Sequence, residues 1–333
     1  MFFILLFCIV LVCSCSNTTN ISNGEQVFID KFDNTYYLKG EKLDYIQSIG
    51  FYGCEIHYPY LFLNLYNQDF HVAVYDIIKK KYYGDYFKKG PAPHEYIDFS
   101  FLNQANDSVV WINDAHRKKI KSYVLNQVND SIHFTVNAEL DYGNKKEDVF
   151  SLFVNQDFSI WEKRYDIEKM NLYFINSQRN NIVYPFHSNI SRNDLNRIMT
   201  LSDGIKDDGT KIVSLTGIWD QIEIVDLINN KNNISVSTSQ KRMSWENYQE
   251  KSNEELKEYY LSLPRCNDEL ILTLHNRDGE KEILLIDWNG NGIADFKIEE
   301  DLIDFTVDWK RQIIYGVTSD DNIYKYQFSE FMI

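Results

Sequence analysis

The residues with the clearest chemical potential lie near the end of the chain, in "LIDWNGNGIADFKIEE" (285–300). Asp287, Asn289, Asn291 and Asp295 take the first, third, fifth and ninth places of a calcium loop, where oxygen side chains can converge on one ion. The twelfth place, which an EF-hand fills with a bidentate Glu, is Ile298. Two carboxylates and two neutral amides predict weak calcium binding. The same residues also spell a tight turn, because Asn-Gly is the strongest short hairpin signal. The flanks "EILLID" and "ADFKI" read as strands, which excludes a helix-loop-helix site. A plain hairpin turn and a strand-turn-strand calcium loop both remain.

A second candidate is "GPAPHEY" (90–96), where His94 and Glu95 could form an acid-base pair beside a strand. The alternative is structural: Gly90, Pro91 and Pro93 shape a turn, and Glu95 hydrogen-bonds its backbone. The seven histidines show no H-x-H, H-x-x-x-H or HExxH spacing, so zinc has no support in the sequence. There is no G-x-S-x-G elbow for a nucleophile and no Gly-rich phosphate loop. A net charge of −15 argues against nucleic acid and anionic lipid surfaces as partners, since both require clustered Lys and Arg.

The chain begins "MFFILLFCIVLVCSCSN", whose apolar run is shorter than the roughly 20 residues that span a bilayer but suits a secretory signal. Val12 stands three places ahead of Cys15 and Ser14 immediately ahead of it, a pattern that resembles the bacterial lipobox. The resemblance implies a signal peptide over 1–14, lipid attachment at Cys15 and a membrane contact through that lipid. Residues 15–26, beginning "CSNTTNISNGEQ" in large part polar, suit a flexible tether. Besides the anchor, the mature chain holds Cys54 and Cys266, expected as buried thiols rather than a disulfide.

The elements that must position these residues are strands. With 23 Tyr and 21 Phe but only five Pro, the composition favours sheet. Alternating runs recur from "YLFLNLY" (60–66) through "HVAVYDI", "YIDFSFL", "SVVWIND" and "KIKSYVL" to "NIYKYQF" (322–328), separated by Asn, Asp, Gly and Lys clusters. Two stretches break the pattern, 191–202, which opens with Ser191 three places before Asp194, and 244–263, which contains a second such start at Ser252 and Glu255, and they are expected to be small helical insertions. The runs group into four-stranded meanders of about 40 residues, the size of a propeller blade. Residues 27–333 therefore predict an all-β domain with small helical insertions, as a sandwich pair, a large barrel or a propeller, and the blade-sized spacing favours a propeller of about six or seven blades.

Several stretches resemble the TolB-like six-bladed propeller lipoproteins of Bacteroides-type bacteria. "KKGPAPHEYIDFSFL" (88–102) is similar to a turn before an innermost strand, and "KIVSLTGIWDQIEIVDL" (211–227) to a pair of strands with an aromatic turn. "DWNGN", "FTVDWKRQIIYGVT" and "NIYKYQF" are similar to the closing blades. The resemblance implies an all-β, six-bladed β-propeller over 27–333, lipid-anchored in the cell envelope and in most members without an assigned activity; it also implies that acids just after the lipidated Cys favour surface display, so "SNTTN", which has none, favours an outer-membrane anchor facing the periplasm. Two functions are then expected: a binding or scaffolding module for a peptide, glycan or protein partner, without a cofactor; or a calcium-assisted hydrolase or lyase using carboxylates of the central channel.

Overall fold

The computed structural model describes residues 24–66, 68–102, 109–142, 148–154, 160–166, 171–176, 181–185, 198, 203–229, 232–238, 248, 250–252 and 255–331. Cys15 and the expected signal peptide lie outside them. The chain is all-β, and its strands form six sheets. Sheet 1 holds the strands from Phe51–His57 to Lys81–Lys88, sheet 2 those from Ser100–Phe101 to Ser131–Asp141, and sheet 3 those from Asp148–Val154 to Asn181–Pro185. Sheet 4 runs from Asp203–Ile205 to Ile234–Ser237, sheet 5 from Arg265–Cys266 to Gly292–Ile298, and sheet 6 from Leu302–Asp308 to Ile323–Gln327. Within each of these spans, consecutive strands pair antiparallel.

The period-two pattern acquires a sharper meaning here, because the central strands of sheets 1 and 5 are buried on both faces. In sheet 1, Leu61, Leu63 and Ala73 pack with Tyr315 and Val317 of sheet 6. The alternate residues Phe62, Val72 and Val74 pack with Val110 and Ile112 of sheet 2. Sheet 5 repeats the division: Leu272, Leu274 and Leu285 join Phe305 and Ile314 of sheet 6, while Ile271, Leu284 and Ile286 join Ile222 and Ile224 of sheet 4. A strand with two apolar faces must lie between two sheets, so alternation sorts side chains between neighbours rather than between core and water. Each such aliphatic side chain contributes about 1.5–3 kcal/mol on burial.

Three N-terminal strands complete the outer edges. Glu25–Phe28 adds parallel to Ile234–Ser237, Asn34–Leu38 adds parallel to Gly292–Ile298, and Glu41–Lys42 adds antiparallel to Ile323–Gln327. Sheets 4 and 5 are therefore mixed, which departs from the expected series of antiparallel meanders. The physical reason is that an unpaired outer edge invites association, and a passing strand satisfies it. Glu25–Phe28 also takes up Glu25 and Gln26, the last two residues of the expected tether.

Two other expectations need correction. Of "YIDFSFL" only Ser100–Phe101 is strand. The expected insertion at 191–202 lies outside the described residues apart from Ile198, and much of 244–263 does too. Within the latter, Ser252 and Glu255 do cap each other, with Ser252 N and Oγ each 2.8 Å from Glu255 Oε2. Beyond them the chain is extended rather than helical, because sheet partners replace the i−4 carbonyls. Tyr259 N donates to Gly217 O at 2.7 Å, and Leu261 N donates to Leu274 O at 3.1 Å.

Candidate functional site

The "DWNGN" loop is a turn closed by its own aspartate. Asp287 Oδ1 accepts from the backbone N–H of Asn289 and of Asn291, both at 2.8 Å, and Oδ2 accepts from Asn291 Nδ2 at 2.8 Å. The Trp288 carbonyl accepts from Lys211 Nζ at 2.7 Å. Four other strand ends are built the same way. Asp76 accepts from Ile78 N and Lys79 N, Asp114 from Arg117 N, Asp226 from Ile228 N and Asn229 N, and Asp308 from Arg311 N. In three of these turns the fourth residue after the Asp is left-handed: Lys80, Lys118 and Gln312, at φ of 52°, 55° and 54°. Gly290 takes that conformation in the Asp287 turn, at φ 82°. The aspartate thus closes a turn that recurs through the molecule.

Asp295 is not gathered into this loop. It is buried, 3.0 Å from Lys297 Nζ, and burial with the nearby Glu282 charge raises its pKa. Among the described residues no group of three or more His, Cys, Asp and Glu side chains is placed to hold a metal ion.

In "GPAPHEY", His94 is exposed while Glu95 turns back beneath Gly90. Its carboxylate accepts from Lys88 Nζ at 2.8 Å and Ala92 N at 3.1 Å, and the Lys88 bond followed by the Ala92 bond lowers its pKa. Arg117 fastens the loop from below, donating to the carbonyls of Ala92 at 2.8 Å and Glu95. Those bonds bend 90–99 into a loop, which is why the strand begins only at Ser100. Cys54 and Cys266 are both buried and free, and burial pushes both thiols well up.

Two ionic clusters had no sequence signal. In the first, Arg265 lies where the first strands of sheets 5, 6 and 1 meet. Its Nη1 donates to Glu55 Oε2 at 2.5 Å, its Nη2 lies 3.8 Å from Asp304 Oδ1, and Nε donates to Phe305 O at 2.8 Å. Asp304 Oδ2 also accepts from Cys54 N at 2.9 Å. Burial raises the pKa of both Glu55 and Asp304, with Arg265 opposing it. In the second, Glu282 is fully buried in sheet 5 and accepts from His275 Nδ1 at 2.9 Å, Arg277 Nε at 2.7 Å and Lys297 Nζ. Burial works against its charge, yet these three donors outweigh it and hold its pKa at about 2.

The described cavity with a mixed lining is a cleft of about 470 Å³ between sheets 6 and 1. Tyr45, Tyr58 and Tyr315 supply rings, and Lys42, Lys80 and Arg311 supply charge. The Arg311 guanidinium lies over the Tyr58 ring at 3.0 Å from its centroid and pairs with Asp308 at 3.0 Å. Burial, with Asp76 and Glu41 nearby, pushes the Tyr45 phenol up to about 12, so it stays a neutral donor at ordinary pH.

No protein-family model matches the chain, and no curated protein matches it. Solved structures do. A candidate exported protein of Bacteroides fragilis NCTC 9343 superposes with a TM-score of 0.53 at 13% identity, covering 90% of this chain and 99% of that one. Regucalcin from Agrobacterium tumefaciens C58, a calcium-binding protein, gives 0.48 at 10% identity over 89% and 95% of the two chains. Virginiamycin B lyase from Staphylococcus aureus gives 0.47 at 11% over 87% and 99%. At these identities the likeness concerns architecture alone, and the last two scores carry no argument. The superposition on the Bacteroides fragilis protein covers nearly all of both chains and shows a shared all-β architecture.

Proposed function

We propose that the chain is a TolB-like, six-bladed propeller lipoprotein, anchored by Cys15 to the outer membrane and facing the periplasm, that acts as a binding module for a peptide, glycan or protein partner. The six sheets support the reading of six blades, and the apolar cluster shared by sheets 6 and 1 is what that arrangement would require. The likeness to a candidate exported protein supports an envelope address. The observation that carries the binding role is the contrast between cleft and carboxylates. Glu55 and Asp304, the acids that converge between first strands, are already engaged by Arg265, whereas the cleft offers rings and cations to solvent. Crosslinking in intact envelopes followed by recovery of the chain tests it. Enrichment of one partner or glycan, absent from a Cys15→Ala control released from the membrane, is the expected result; recovery equal to an unrelated anchored protein overturns it.

A second reading, a calcium-assisted hydrolase or lyase, draws on the raised pKa values of Glu55 and Asp304 and on the Asp287 loop. Against it stands the Arg265 guanidinium, which occupies the place a cation would need. Millimolar calcium is expected to leave the melting temperature unchanged in the wild type and in Asp287→Asn. A calcium-dependent rise that the variant loses would restore the metal site.

A further inference from the structure

Sheets 3 and 4 are joined by a buried ion pair with too few acceptors. Lys163 lies in the strand Ile160–Asp166, and its Nζ donates to Asp203 Oδ1 at 2.7 Å and to Ser214 Oγ at 3.2 Å. Asp203 begins the first strand of sheet 4 and stands opposite Ser214 in register, and the Ser214 hydroxyl donates to the same Oδ1. The Lys163 and Asp203 side chains are 0% and 2% exposed, and Ser214 is buried with them. Glu223, opposite Ser214 on the next strand, accepts from Gln221 Nε2 and Ser235 Oγ.

An ammonium group brings three N–H donors. Among the described residues Nζ meets two acceptors, the oxygens of Asp203 and Ser214, so a fully buried cation is left with a spare donor that water does not reach. An amide needs no third acceptor: its single N–H faces Ser214 Oγ, and its carbonyl oxygen takes the Ser214 hydroxyl. Both charges also vanish from a place closed to water. We propose that Lys163 and Asp203 are joined by an isopeptide bond, which staples sheet 3 to sheet 4. The reaction is a condensation. One proton passes from Nζ to the carboxylate, with the Ser214 hydroxyl in contact with both groups. The Nζ lone pair then attacks Asp203 Cγ, the N–C bond forms, and the C–O bond to the protonated oxygen breaks. That oxygen leaves as water, taking the carboxyl proton and a second proton from Nζ, so the step requires neither oxidant nor cofactor.

Tryptic digestion and tandem mass spectrometry of the folded full-length chain, denatured just before digestion, provide the test. The expected product is a branched peptide in which the segments holding Lys163 and Asp203 are joined, lighter than their sum by one water, with no cleavage after Lys163. Lys163→Arg keeps the charge but cannot form this amide, and its digest is expected to yield two linear peptides. Linear peptides alone from the wild type would overturn the proposal, as would a branched peptide that persists in Lys163→Arg. Should the variant not fold, the wild-type digest decides by itself.

Discussion

The two buried ionic clusters use the same residue types in opposite ratios. Around Arg265 one base serves two acids, Glu55 and Asp304, and both acids have raised pKa values. Around Glu282 three donors converge, His275, Arg277 and Lys297, the last shared with Asp295, and the Glu282 pKa falls to about 2. Desolvation is similar in kind in both places, so the count of partners decides the direction. The lesson is that buried acids cannot be read as poised catalysts or as structural anchors from burial alone.

The contrast breaks most sharply at Arg265. Arg265→Met leaves two carboxylates with no base beside them, and unfolding experiments at pH 7 are expected to show a loss of about 3–5 kcal/mol. A loss below about 1 kcal/mol would mean that the acids were already neutral and that the arginine is not their counter-charge. Glu282→Gln comes next. Lowering the pKa from 4.5 to about 2 corresponds to about 3 kcal/mol at pH 7. Because the folded pKa lies below the unfolded one, that stabilisation is whole above about pH 4.5 and is lost as the pH falls toward 2. The variant should therefore differ from wild type at pH 7 and converge with it near pH 2, as chemical denaturation across that range would reveal. Parallel curves across the range would refute the assignment.

The smallest effect is expected at Asp304→Asn, because one of two acids around a single base is in surplus. The asparagine still accepts from Cys54 N, so the cost at pH 7 is expected within about 1 kcal/mol. Its pH dependence has the opposite sign to that of Glu282. With folded pKa values raised above unfolded ones, Glu55 and Asp304 lose stability as the pH climbs through that window, and the variant should flatten the decline. An unchanged slope would place both acids in their ordinary titration range.

Much of the architecture was legible, and the reason is specific. The central strands carry long alternating apolar runs because two neighbouring sheets claim alternate side chains, as Leu61 and Phe62 show. The first strands were harder to see. Phe51–His57 contains Gly53 and Glu55, both turned toward the Arg265 cluster, so its pattern is broken by the very residues that make it notable. Arg265–Cys266 is only two residues long. Arg265 and Glu55 are 210 residues apart in sequence, and no local spacing can announce such a pair. The "DWNGN" turn was visible as a turn, but its nature became plain only beside Asp76, Asp114, Asp226 and Asp308, which share the same backbone capture in unrelated sequence. The cleft gave no signal, because Lys42, Tyr58 and Arg311 belong to three separate stretches.

The three N-terminal edge strands also set an order on biosynthesis. Residues 25–42 leave the ribosome early, yet their partners end at Ser237, Ile298 and Gln327. Nothing made before those residues can pair with them, so the first part of the chain to be synthesised is among the last to settle. The outer edges of sheets 4, 5 and 6 are thus sealed only once the strands ending at Ser237, Ile298 and Gln327 have been made.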